Sequence, residues 1–391
     1  MMNSGVMCNM KLLEYMGKEL LSNHGITVQK GVVVSSVEEV SQKAKDLKPP
    51  FVLKVQILAG GRGKAGGIKF ADDIKGAEDI CLELLGKEMR GCIVNKILIA
   101  QKVEVKTEWY LSIILDRLSK CPTVIFSSLG GIDIEQTAKT DPGRIVKIPV
   151  NPLIGVKDYI ARYIIENSGI DGKYMEELNR IIGNLYRLFN EYDCTLAEIN
   201  PLAIVDDDNL MAIDCKADID DSSLYRHPDN LEFRNTIDEN PLTIEARKFN
   251  FLYIPLGTEG DIAVASNGSG MLMSCIDLIT KSGMKACAAL DLGGGATSER
   301  IAQAVRTIFK NKGTEYLFIS IFGGITRCDE VAMGVKIAIE DGLKDKTVIL
   351  RLEGTNKAEA LKISQSIDGN VIDVKSISEG VKTLKSGRKN R

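Results

Sequence analysis

Histidine and tryptophan are nearly missing from this chain, with 2 and 1 copies in 391 residues. His24 and His227 stand far apart, and the nine cysteines are scattered with no C-x-x-C pair. Neither a clustered zinc site nor a disulfide framework is indicated, and a reducing compartment is expected. An excess of positive charge is also lacking: 50 Lys+Arg against 53 Asp+Glu give a formal charge of -3. That balance argues against nucleic acid as a partner, since phosphate contacts need a basic face, and the short tail "KSGRKNR" reads as a solvated terminus. No apolar run approaches the roughly 20 residues of a membrane span. The opening "MMNSGVMCN" has neither a long apolar core nor the arginines of a transit peptide, so secretion is not expected.

What the chain does have is enough apolar residues, 44%, to build two or three packed domains. Its two halves differ in pattern. "MKLLEYMGKELLSNHG" reads as an amphipathic helix ending at Gly25, "ITVQKGVVVSS" as a strand and "VEEVSQKAKDL" as a further helix. Hairpin-like strands follow at "KILIAQKVEV", "EWYLSIILDR" and "PTVIFSSLGG", then a long helix over 174–192. "TLAEINPLAIVDDDNLMAIDCKADID" reads as two strands joined by an acidic turn. After a polar segment, 220–243, the pattern becomes strand, glycine turn, helix. It recurs in "DIAVASNGSGMLMSCIDLITKSG", "KACAALDLGGGATSERIAQAVRTIF", "EYLFISIFGGITRCDEVAMGVKIAI" and "TVILRLEGTNKAEALKISQSI". Such βα units build an open parallel sheet whose loops gather at one edge, where helix N-termini favour anions.

The stretch "LKVQILAGGRGKAGGIKF" is rich in glycine and cations. It is not a Walker A loop, because Lys64 is followed by Ala65 and the chain runs on as strand rather than helix. It reads as a hairpin tip able to fold over a nucleotide, with Lys54 on the incoming strand within reach of phosphate oxygens. Taken alone, a long hairpin with glycines for turning reads equally well. A second constellation, Glu198, Asn200 and Asp214, shifts the balance, since its oxygens lie on two neighbouring strands. Mg²⁺ favours a few carboxylate or amide oxygens together with nucleotide phosphates, which makes Asn200 and Asp214 candidate ligands. "VDDDN" between them reads as a solvated turn.

Taken together, "LLEYMGKELL", "VLKVQILAGGRGKAGG", "LAEINPL", "DLGGGAT", "IFGGITRCD" and "RLEGTN" closely resemble the β subunit of succinyl-CoA synthetase (succinate–CoA ligase, nucleoside-diphosphate-forming). The resemblance runs from about Met10 to near residue 385. It implies an α/β protein with an α+β N-terminal half: an ATP-grasp nucleotide-binding domain over 10–243, then a flavodoxin-like CoA-ligase domain over 244–391. By position it implies nucleotide contacts at Lys54, Gly61, Arg62, Gly63 and Glu108, Mg²⁺ ligands at Asn200 and Asp214, and substrate contacts at Asn267, Gly324, Ile325 and Thr326. It further implies reversible ligation of succinate to CoA driven by ATP or GTP, as a step of the tricarboxylic acid cycle. The route runs through a phosphohistidine on an α subunit, and Glu198 orients that histidine. This chain lacks the family's histidine loop, so an α partner is expected, in a mitochondrial-type matrix or prokaryotic cytoplasm. Three departures stand out: Ala100 and Val103 beside the purine, Leu129 where the family has a carboxylate, and Thr326 at a substrate position. Two other readings share the fold, a malate–CoA ligase β subunit and a non-catalytic nucleotide-binding scaffold. Loss of Lys54, Glu198, Asn200 or Asp214 would mark the scaffold, and all four are present.

Overall fold

Continuous apolar runs and amphipathic helices sort this chain into layered sheets, described here from a computed structural model. The structure describes residues 9–59, 61–131, 134–228, 230, 234, 240–257 and 259–389. Gly60, the first eight residues and much of the polar segment expected over 220–243 lie outside these. The chain divides into two compact units, Met1–Ile237 and Asp238–Arg391.

The first unit carries two main antiparallel sheets and a two-stranded ladder of Glu88–Met89 with Cys92–Ile93. The larger runs in the order Asn9–Lys11, Cys215–Asp220, Cys194–Ile204, Thr107–Asp116, Cys121–Ser127 and Ile145–Pro149, with Leu210–Ala212 also pairing with Cys194–Ile204. Its core is closed by the helices Glu14–Asn23, Asp158–Ser168 and Met175–Glu191. In the last of these, Leu178, Ile181, Ile182, Leu185, Leu188 and Phe189 fall at steps of three and four and are all buried, as one face of an amphipathic helix requires. The smaller sheet runs Gly31–Val34, Ile97–Gln101, Phe51–Val55, Ile68–Ala71. Every residue of "FVLKV" at 51–55 is buried there, Lys54 included.

Two expectations for this unit need correction. The helix read from Met10 begins at Glu14, because Asn9–Lys11 instead pairs with Cys215–Asp220 as an edge strand. The second strand of the acidic hairpin is broken into Leu210–Ala212 and Cys215–Asp220. Ile213 N donates to Pro201 O at 3.1 Å across the break, and Asp214 lies in it.

The second unit is the expected βα array. Ala286–Asp291, Ile262–Ser266, Tyr316–Gly323, Thr347–Gly354 and Asn370–Asp373 form a parallel sheet, and Leu252–Pro255 adds an antiparallel edge. One apolar core lies on each face. This explains strands such as "YLFISIF", in which almost every residue is apolar and buried rather than alternating. The helix Ser298–Phe309 starts at a side-chain cap, where Thr297 accepts from Arg300 N. Among the described residues no helix is long and apolar enough to cross a membrane.

Candidate active site

Three local devices meet in the first unit. The glycine hairpin leaves the strand Phe51–Val55 and turns at Gly61, whose φ is +73°, and at Gly66, whose φ is +77°. These are left-handed conformations that glycine adopts without steric cost. Between them Arg62 precedes a single 3₁₀ turn, Gly63–Ala65, and Gly67 N donates back to Arg62 O at 2.9 Å. The second device is the register irregularity between Ile199 and Leu202, which brings Asn200 out of the regular ladder against Thr107–Asp116. The third is the strand break at Asp214. Together they line a cavity of about 540 Å³ that includes Gly61, Arg62, Gly63, Glu198, Asn200 and Asp214.

The charges around this cavity are organised by a residue that sequence reading passed over. Glu14, at the start of its helix, is 3% exposed. Its Oε1 lies 2.8 Å from Lys54 Nζ and 3.0 Å from Lys18 Nζ, and its Oε2 lies 2.9 Å from Arg62 Nη2. Burial pushes the Glu14 carboxyl up, but Lys18, Lys54 and Arg62 outweigh it and hold the group at about 2. Lys18 is itself pushed down, first by burial and then by Lys54, against the pull of Glu14. A signal existed in the sequence: Glu14, Lys18 and Leu21 share one helix face at i, i+4 and i+7, and Leu21 is buried.

Lys54 therefore points inward. Its Nζ donates to Glu14 Oε1 at 2.8 Å and to Ile213 O at 2.9 Å, the carbonyl freed by the strand break. Neither Lys54 nor Glu108 is among the residues lining the cavity. Glu108 is exposed, and its carboxylate sits where any side chain at Gly131 would have to go. Arg62 spans both layers. Nη1 donates to Val55 O at 3.2 Å and Nη2 to Asp214 Oδ2 at 2.9 Å. The other Asp214 oxygen accepts from Cys215 N at 2.7 Å. Burial and the neighbouring Glu14 push the Asp214 carboxyl up, against Lys54, Arg62 and Lys18. Asn200 Oδ1 accepts from Gly131 N at 2.9 Å. Glu198 is held by Tyr110, whose hydroxyl donates to Oε2 at 3.2 Å. Its carboxyl is pushed up by burial, opposed by Lys216, Asn200 and Tyr110.

The described residues contain no cluster of three or more His, Cys, Asp or Glu poised for a metal. Asn200 and Asp214 supply instead two hard oxygen donors to the cavity lining, a set that suits Mg²⁺ sharing its shell with phosphates and water.

In the second unit Asn267, Gly324, Ile325 and Thr326 fall on the loops after the parallel strands. The Asn267 amide bridges to the backbone of Phe322, donating to its O at 2.9 Å and accepting from its N at 3.1 Å. Thr326 is 1% exposed; its hydroxyl accepts from Gly295 N at 3.0 Å and donates to Gly293 O at 3.3 Å. The hydroxyl that departs from the family thus fastens two glycine loops together. Gly324 has open space where a Cβ would stand, and Ile325 is 85% exposed. Of the other departures, Ala100 is buried within the strand Ile97–Gln101, opposite Gly31, and Leu129 is 38% exposed.

Neither histidine approaches the cavity wall. His24 bonds Leu20 O and Glu191, and His227 bonds Asp193 at 2.5 Å. Trp109 packs edge-on to Phe126 and Tyr174, and Cys328 is fully buried.

This two-part chemistry can be compared with known proteins. A family model of the ATP-grasp domain matches residues 11–204, and a CoA-ligase model matches 265–383. The succinate–CoA ligase [ADP-forming] subunit beta of Desulfatibacillum aliphaticivorans is 40% identical over 362 residues, covering 90% of this chain and 93% of that protein. The chain belongs to the succinate–CoA ligase β-subunit family. The Archaeoglobus fulgidus ADP-forming subunit beta 2 is 42% identical over 354 residues, and the Thermus thermophilus GDP-forming subunit beta is 39% identical over 354. Each alignment covers 90% of this chain and more than nine-tenths of the relative. The fold is shared more widely. The structure of ATP citrate lyase from Methanothrix soehngenii in complex with citrate and coenzyme A matches at a TM-score of 0.76 and 18% identity. That match covers 97% of this chain and 100% of the other. The chain is thus the β subunit of a ligase of the ADP- or GDP-forming type, with an ATP-grasp domain followed by a CoA-ligase domain.

Proposed function

We propose that the cavity of the first unit binds a Mg²⁺–nucleotide and passes its terminal phosphoryl group to a histidine of an α subunit. Asn200 and Asp214 would hold the Mg²⁺, which would supply neutralisation of charge on the phosphate oxygens. The backbone of Gly61–Gly63 and the Arg62 guanidinium contact the phosphates, and Lys54 and Glu108 join them once the nucleotide is bound. Glu198 accepts a hydrogen bond from one imidazole nitrogen of the incoming histidine. The lone pair of the other nitrogen then faces the phosphorus, and the nucleoside diphosphate leaves as the P–O bond breaks. On the second unit, Gly324 and Ile325 face the succinyl group and CoA, while Asn267 and Thr326 hold their loops in shape. The domain limits that accompany this reading are 10–243 and 244–391, and the setting is a prokaryotic cytoplasm or mitochondrial matrix.

The observation that carries the reading is that the glycine hairpin, Glu198, Asn200 and Asp214 line one cavity. Succinate is favoured over malate. The Thr326 hydroxyl is bonded to Gly295 and Gly293 and is not free to recognise a hydroxylated acid.

The test mixes the chain with its α subunit and γ-³²P-labelled ATP or GTP. Acid-labile label on α is expected with Mg²⁺, and the better nucleotide names the specificity. Asp214→Ala, in a folded complex, is expected to lose the label. Label of undiminished yield in that variant, or none with either nucleotide in the wild type, overturns the reading.

A further inference from the structure

The two oxygen donors read as metal ligands are both already engaged by donors from glycine-rich segments. Asp214 Oδ2 takes Arg62 Nη2 at 2.9 Å, and Asn200 Oδ1 takes Gly131 N at 2.9 Å. The Arg62 contact is charged and shared: the same nitrogen lies 2.9 Å from Glu14 Oε2. One guanidinium therefore joins the helix Glu14–Asn23, the strand break at Asp214 and the tip of the phosphate hairpin. Its Nη1 bond to Val55 O ties the hairpin tip back to the strand it leaves.

We propose that Arg62 is a positioning residue that occupies the metal side of the cavity in the nucleotide-free chain. The divalent cation takes over Asp214 by displacing the guanidinium, and the displacement frees residues 61–67 to close on phosphate. The charge bookkeeping favours such an exchange. Asp214 and Glu14 face three buried or half-buried cations, Lys18, Lys54 and Arg62. Of these only Arg62 belongs to a loop whose backbone turns on glycines at both ends, so only Arg62 can leave without dismantling a helix or a strand. Glu14 is the carboxylate that keeps Lys54 in reserve meanwhile. A phosphate entering the cavity offers the released guanidinium a bidentate partner in exchange for the two carboxylates it gives up.

This inference rests on the assignment of Asp214 as a metal ligand, and its test separates the two. Mn²⁺ is titrated, without nucleotide, into the full chain in complex with its α subunit, and bound ion is read by electron paramagnetic resonance. Arg62→Ala is expected to tighten Mn²⁺ about tenfold, the scale of losing one charge-assisted competitor at a partly exposed site. Lys64→Ala removes the same charge from the same hairpin but no bond to Asp214, and is expected to change binding about twofold or less. Hydrogen exchange supplies a second readout: amides in 61–67 are expected to exchange faster in Arg62→Ala, and in the wild type when Mn²⁺ is added. Equal tightening by Lys64→Ala and Arg62→Ala reduces the effect to net charge and overturns the proposal. Unchanged affinity in Arg62→Ala, with Asp214→Asn abolishing binding, overturns the exchange and leaves the ligand assignment standing. Binding that survives Asp214→Asn in both backgrounds overturns the ligand assignment and the exchange together.

Discussion

Glu198 shows what burial beside a cavity does to a single carboxyl. Burial raises its pKa while Tyr110, Asn200 and Lys216 restrain the rise. A carboxyl raised on folding keeps its proton to higher pH than in the unfolded chain, so stability falls as pH rises from the unfolded pKa through the folded one. Glu198→Gln is accordingly expected to leave the denaturation midpoint unchanged, or to raise stability by up to about 1 kcal/mol, at neutral pH. The same variant is expected to phosphorylate the α subunit at least about 100-fold more slowly. The acid limb of the wild-type rate is expected to lie above the range of an ordinary glutamate and to vanish in the variant. A variant that is both slow and clearly less stable would mark Glu198 as a packing residue instead. Sequence reading singled out Glu198, Asn200 and Asp214 for their oxygen chemistry, and the three line one cavity, but it passed over Glu14, Lys18 and Tyr110. Charged residues inside an amphipathic helix look solvated until the opposing layer is known.

At the scale of elements, the βα repeats were legible because strand, glycine turn and helix recur with fixed order. Less legible was how closely the strands approach. Gly323 and Gly354 are paired across Tyr316–Gly323 and Thr347–Gly354, and a Cβ at Gly354 would fall 2.0 Å from Gly323 O. Gly354 also has a φ of +112°, as does Gly342, where a Cβ would meet nothing within 4 Å. The two positions separate backbone strain from steric overlap. Gly342→Ala is expected to cost about 1 kcal/mol, and Gly354→Ala about 3 kcal/mol or more. By thermal denaturation the latter corresponds to a fall of roughly 10 °C. Equal shifts would show that overlap contributes nothing and that the strands part freely. The split of the acidic hairpin into Leu210–Ala212 and Cys215–Asp220 belongs to this scale too. Its cause is tertiary: Ile213 turns its carbonyl to Lys54 from another sheet, a partner that no local pattern announces.

Across the first unit as a whole, Glu14 ties Lys18 of its own helix to Lys54 of the strand Phe51–Val55 and to Arg62 of the hairpin that follows it. Its pKa falls on folding from 4.5 to about 2. The sign is that of a depressed carboxylate: the stabilisation is complete above about 4.5 and is lost as pH falls toward 2. The size of the shift corresponds to something on the order of 3 kcal/mol. Glu14→Gln is expected to lose a comparable amount at pH 7, since it leaves three cations without their shared charge. Denaturant midpoints of variant and wild type are then expected to converge as pH is lowered from 4.5. A gap that stays constant down to the acid limit would assign the loss to packing rather than to charge.

Local order along the chain was enough to specify the class of protein. Glycine turns at strand ends, apolar runs of strand length and helix-spaced stripes depend on neighbours along the chain, and the ordered motifs carried the family with them. Tertiary structure alone decided which charges meet. Glu14 and Arg62 are 48 positions apart and Arg62 and Asp214 are 152 apart, and the Arg62 guanidinium joins the two carboxylates. Long-range ion pairs leave no periodic trace in a sequence, because their partners are brought together by the packing of sheets and helices whose own signals are purely apolar.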